Sequence, residues 1–358
     1  MMNRIFVFTI ILFCLSSCSS SQKVTTEQAV AEGYAPKGSI RDMVLIYDGG
    51  THRREVWNEE LFQPYVYAPR QNAKGGDWLF DGFLFLEIFD GNRCGFASGY
   101  RPTPATKEDW IMLIDKYFTP GRSICALNDC IENAKSVCGK LPKKRKIVLS
   151  LPEPIPNQKN WGELDGKKLD FSKDEDRISA CKWYIDFITE RFKKAHLKNV
   201  ELAGFYWLAE EATHTRTFVK HIADYIHEDK QSFYWIPYFK SDGYTTWKEL
   251  GFDKAYLQPN HFFNSNIPDS RIDDACKLAR QYGMSMECEF DERALNDKAP
   301  RMHAYIDGFE RNHVFENTDV AYYQGGSAFY ALKNGSEKDV ALYYRLANII
   351  IKRQKARR

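Results

Sequence analysis

Leu202-Ala203-Gly204-Phe205-Tyr206-Trp207-Leu208-Ala209-Glu210-Glu211 is a short apolar run that stops abruptly at two acids. It follows a Lys198-Asn199 turn, and its aromatic character is that of a parallel strand covered on both faces. Carboxylates at the end of such a strand are costly to bury and add little to packing. In a parallel α/β barrel that end is where the chemistry sits. Met284-Ser285-Met286-Glu287-Cys288-Glu289-Phe290-Asp291 repeats the pattern further on. The two strand ends are expected to face each other across a barrel mouth as a carboxylate pair.

Strand-like and helix-like runs alternate on either side of these stretches. Further strands are expected over residues 43–48, 78–87, 146–154, 232–239, 254–260 and 319–326. Helices are expected over 106–117, 124–138, 174–194, 215–227, 269–282, 298–314 and 336–355. Thr106-x-x-Asp109 reads as a capping box, and Gly283 as the left-handed residue closing a helix. Eight strands with intervening helices predict a single (β/α)8 TIM barrel over residues 39–358. An open doubly wound sheet is the alternative, but no GxGxxG follows the first strand.

The N-terminus reads as a targeting segment. A basic start at Arg4 and an apolar run from Ile5 to Leu15, too short to span a bilayer, end in Leu15-Ser16-Ser17-Cys18. This resembles the lipobox of bacterial lipoproteins. It implies a signal peptide over residues 1–17, a lipid anchor at Cys18 and a polar tether over 18–38, on an exported protein of the cell envelope, in the outer membrane. Fifty basic residues against 48 acidic ones argue against a nucleic-acid surface, so the Lys352–Arg358 cluster reads as a solvated helix end. The seven cysteines after Cys18 include no CxxC pair and no zinc spacing; Cys125–Cys138 and Cys130–Cys138 are local disulfide candidates.

Polar residues recur at the expected strand ends: Asp48, Glu87, Glu153, Glu210 with Glu211, Tyr238, Asn260 with His261, Glu287 with Glu289, and Gln324. Acids and amides framed by Tyr and Trp suit a neutral polyhydroxyl ligand. A phosphate would call for Gly-rich loops and basic side chains. No cofactor is implied, and the absence of a paired His motif argues against a metal. Tyr206 and Trp207 are candidates for sugar contact, as are Tyr100, Trp161 and His214 in or near loops; each is equally compatible with packing or capping. Asp81 reads as a cap or turn residue.

The order of acids at strands four and seven resembles the large barrel superfamily of retaining glycoside hydrolases. Through the Gly204-Phe205-Tyr206-Trp207-x-x-Glu210 segment and nearly all of the chain after the signal, the sequence resembles a lipoprotein family defined only as a domain of unknown function (number 4855). The first resemblance implies Glu210 as acid/base and a strand-seven Glu as nucleophile. Glu289, nearer the mouth, is chosen over Glu287, which shares its face and becomes a supporting acid. Ala209 stands where that superfamily carries Asn. The sugar 2-hydroxyl must then be held from elsewhere, or the chemistry differs. The implied partner is an oligo- or polysaccharide, hydrolysed with retention or, alternatively, bound without cleavage.

Overall fold

Eight short apolar segments pair only in parallel and close on themselves in the computed structural model, which describes residues 33–91 and 94–356. They are β1 (Asp42–Tyr47), β2 (Gly82–Leu86), β3 (Arg145–Leu151), β4 (Val200–Trp207), β5 (Ser232–Trp235), β6 (Lys254–Leu257), β7 (Ser285–Glu289) and β8 (Val320–Tyr323). Ring order follows chain order, with β1 hydrogen-bonded to both β2 and β8, so no edge is left unpaired. This is the expected TIM barrel. The expected signal peptide, Cys18 anchor and most of the expected tether lie outside the described residues. Packed chain begins at Tyr34, before residue 39: the Tyr34 hydroxyl donates to the Asn312 carbonyl and Ala35 N–H to that of Met284.

Ten helices are described, α1 (Glu59–Val66), α2 (Lys107–Tyr117), α3 (Ser123–Cys138), α4 (Asp174–Lys194), α5 (Val219–Glu228), α6 (Ser270–Tyr282), α7 (Ala299–Arg311), α8 (Val314–Asn317), α9 (Ala328–Lys333) and α10 (Glu337–Lys355). Thr106 and Asp109 form the expected capping box, and Gly283 adopts φ 63° at the end of α6. Helix α1 was not expected, because Pro64 falls inside it. The second strand is shorter than expected: Trp78 belongs to a hairpin pairing Tyr67–Pro69 with Gly76–Trp78, and Asp81 turns the chain into β2. The Asp81 carboxylate caps the backbone N–H groups of Arg41 and Asp42.

Two further expectations are corrected. Cys125, Cys130 and Cys138 all lie on α3, where a rise of about 1.5 Å per residue separates the proposed partners by at least about 12 Å, too far for a disulfide. All seven described cysteines are free thiols. Nor is the C-terminal basic cluster wholly solvated. The Arg353 side chain is only 4% exposed and donates to Asp42 (2.6 Å) and to the carbonyls of Arg41 (2.8 Å), Thr318 (3.1 Å) and Phe315.

The ladder between β3 and β4 carries one irregularity. Leu202 pairs with Ile147 and Gly204 with Val148, leaving Ala203 as a bulge. At Gly204 (φ +156°) a Cβ would lie 1.9 Å from the Ser232 carbonyl oxygen of β5. No side chain fits there without moving the β5 backbone. Gly204→Ala is therefore expected to cost at least about 2 kcal/mol in denaturant unfolding. Gly33→Ala, with nothing within 4 Å of the added atom, should be neutral.

Candidate active site

Three acids from β4 and β7 act on one another at the barrel mouth. Glu210 follows β4, and Glu287 and Glu289 lie on one face of β7. Burial raises all three carboxyls. The Glu289 and Glu211 charges add to the effect on Glu210, and those of Glu289 and Glu210 to the effect on Glu287. Glu210 and Glu289 are each pushed up to about 7, and Glu287 well above the usual carboxylate range. Tyr47 of β1 and Tyr206 of β4 feel the charges of both Glu210 and Glu287, so the cluster occupies the interior rather than the outer face of the ring.

The three carboxyls are held differently. One oxygen of Glu289 accepts from the Asn260 N–H (2.7 Å), the His261 N–H (3.3 Å) and the Tyr305 hydroxyl. These donors, with the Gln258 side chain, favour its ionised form and partly offset burial. Its other oxygen is buried with no hydrogen-bond partner among the described residues. Glu210 and Glu287 accept no hydrogen bond from a described residue. Hydrogen bonds thus favour a charge on Glu289 and not on Glu210, while the Glu289 charge itself raises Glu210 further. Asn260 makes this contact by its backbone, in a left-handed turn (φ 57°) that aims its N–H at the carboxylate.

Beside Glu210 opens a cavity of about 280 Å³, lined by Glu153, Glu210, Glu211, His214, Tyr238 and the loop carrying Ser98 and Tyr100. Glu153 is fixed by the Ser98 N–H (2.7 Å), and Glu211 accepts from the Tyr238 hydroxyl (2.8 Å). Tyr100 stays 42% exposed at the rim. Glu287 and Glu289 are buried next to this space and do not line it.

Other expected site residues are committed elsewhere. Glu87 is fully buried, bidentate to Arg53 (2.8 and 2.7 Å), and accepts the N–H groups of Gly50 and Ile88. Asp48 accepts from the Ser123 hydroxyl at the start of α3. Gln324 links the Tyr65 hydroxyl to the Leu45 carbonyl, joining β8 to α1 and β1. His261 pairs with Asp269 (2.8 Å). Trp161 is fully buried against Trp110 and Trp183, which rules it out as an exposed platform. Tyr305 was missed altogether. It lies within α7, where an apolar stripe hides a hydroxyl reaching back to the mouth. Among the described residues no three His, Cys, Asp or Glu side chains group as a metal ion would require.

Residues 42–348 match the family model described as Domain of unknown function (DUF4855). The chain belongs to that family. No curated protein matches its sequence. Among solved structures, an endo-1,4-β-mannanase from Rhizomucor miehei is 13% identical over 66% of this chain and 78% of its own, with a TM-score of 0.41. A noncanonic maltogenic α-amylase, AmyB, from Thermotoga neapolitana is 12% identical over 87% and 76%, TM-score 0.46. A mutant tryptophan synthase α-subunit from Pyrococcus furiosus is 9% identical over 87% and 96%, TM-score 0.36. At these values the likeness concerns the course of the chain and not its chemistry.

The raised carboxyls make the folded DUF4855 barrel sensitive to pH in a defined direction. A carboxyl whose folded pKa lies above its unfolded value holds its proton better when folded, so stability falls as pH rises from about 4.5 to about 7. Glu210→Gln, which removes the charge and breaks no described hydrogen bond, should stabilise the protein at pH 8 by on the order of 1–3 kcal/mol and leave it unchanged at pH 4. Thermal melts at the two pH values measure this.

Proposed function

We propose that this protein is an exported, lipid-anchored glycoside hydrolase that cleaves an oligo- or polysaccharide with retention, Glu289 serving as nucleophile and Glu210 as acid/base. The observation that carries the reading is the asymmetry between two interacting carboxyls: Glu289 receives donors that favour its ionised form, and Glu210 receives none. Retaining hydrolysis needs one ionised and one protonated carboxyl about 5–5.5 Å apart. Glu210 protonates the leaving oxygen as Glu289 attacks the anomeric carbon. The deprotonated Glu210 then takes a proton from the water that cleaves the glycosyl-enzyme bond, which restores both groups. Glu287 remains protonated and places no further charge beside the nucleophile. Tyr100, Tyr238, Glu153 and Glu211 offer a stacking face and hydroxyl-binding groups along the cavity.

A second reading is a glycan-binding barrel without turnover. It is favoured by Ala209 and by Glu289 being only 1% exposed and outside the cavity. Purified protein screened against a glycan panel separates the two, with binding measured alongside product release.

On any substrate found, Glu289→Gln should lower kcat at least about 10³-fold with folding intact; retained turnover would remove Glu289 from the nucleophile role. Glu210→Ala should lose about 10²–10⁴-fold on natural glycosides and far less on activated aryl glycosides, whose leaving groups need little protonation. Equal loss on both would count against the acid/base role. Proton NMR of the first-formed product should show the substrate's anomeric configuration, and inversion would exclude the covalent mechanism.

A further inference from the structure

We propose that the face of the barrel opposite the mouth docks on an anionic lipid surface through a lysine patch centred on Lys143 and Lys144. The loop between α3 and β3, Gly139-Lys140-Leu141-Pro142-Lys143-Lys144, carries three lysines and no acid. It precedes a barrel strand and so lies at the end away from the catalytic mouth. Lys143 and Lys144 are exposed and pair with no carboxylate of the described residues. With Arg70, Lys146 and Lys355 they border a cavity of about 330 Å³.

The two acids bordering that cavity are already committed. Asp77 is held by Arg70 (3.1 Å) and Lys355 (2.9 Å), and Asp81 caps backbone N–H groups. Lys146 is itself paired with Glu201, and the unpaired Lys143 and Lys144 leave the patch net positive. The cavity at the mouth is lined instead by Glu153, Glu210 and Glu211, with no Lys or Arg. An anionic surface therefore meets unpaired cations at the first cavity and none lining the second.

The course of the chain selects lipid as the anion. Ala35 hydrogen-bonds to Met284, just before β7, and Gly38 to Asp319, just before β8, so the preceding residues join the barrel at this same end. The inference rests on the Cys18 anchor and not on hydrolysis. From Cys18 to Gly33 a chain of this length reaches at most about 50 Å. A tether of that length lets the lysine face reach headgroup phosphates, and docking by that face would turn the mouth toward the envelope space. Each lysine near an anionic bilayer strengthens binding roughly fivefold.

The test uses the chain from residue 18 with Cys18→Ser, which cannot be acylated, co-sedimented with phosphatidylcholine vesicles with and without phosphatidylglycerol. Binding is expected only with the anionic lipid and should weaken with salt. Lys143→Glu/Lys144→Glu should reduce it at least about 20-fold, while Lys168→Glu, in a loop on the mouth side, should bind like the parent. Circular dichroism melts of each variant establish folding. No binding, equal binding to neutral vesicles, or an unchanged double variant overturns the proposal. Tighter binding to duplex DNA than to vesicles would replace lipid by nucleic acid. Mass analysis of Cys18 in the wild-type chain tests the anchor separately, and a glycan assay on the double variant keeps hydrolysis independent of docking.

Discussion

The ring closes where β1 meets β8, and one buried guanidinium holds that seam. Arg353 reaches from the C-terminal helix to the Asp42 carboxylate and to carbonyls on both sides of the closure. A charge this deep is tolerated because nearly every donor is used; removing either partner would leave the other buried and unpaired. The Tyr322 hydroxyl and the Gln354 amide also donate to Asp42, so β1, β8 and α10 meet at one carboxylate. A closed parallel ring has no edge, and its strand ends become two faces with separate uses.

At the mouth, burial of acids is tolerated for a different reason. Three carboxyls cannot all ionise in a poorly solvated volume, so the protein must keep protons on some of them. Burial raises all three, and hydrogen bonds distinguish them. Glu289 has backbone N–H groups from the turn after β6 and a tyrosine from α7, and Glu210 has none. The positive φ of Asn260 and the packing of α7 thus decide which of the buried acids on β4 and β7 receives hydrogen-bond donors. The arrangement costs stability at neutral pH, because the buried carboxyls hold their protons more tightly than they would in the unfolded chain.

The opposite face inverts this economy. Lys143 and Lys144 are exposed there, and neither pairs with a carboxylate of the described residues. Their common position follows from the rule that loops preceding barrel strands share one end. The cavity at one end is lined mainly by cations and that at the other by acids, although 50 basic and 48 acidic residues nearly cancel along the chain. Overall composition could not show this segregation.

Strand number, strand order and the placement of Glu210, Glu287 and Glu289 at strand ends were all legible in the sequence, because apolar runs ending in acids have one low-energy solution in a parallel barrel. The Thr106 cap and the Gly283 stop were legible as well, since local backbone chemistry dictates them. Contacts joining distant segments were not. Helix α1 was hidden by Pro64, Arg353 by its basic neighbours, and Tyr305 by an ordinary helical stripe. Glu87, Asp48 and Gln324 look in the sequence like mouth residues, yet their side chains are taken up by Arg53, Ser123 and Tyr65. Which polar groups are left for a ligand depends on partners far away along the chain, and only the tertiary structure brings those partners together.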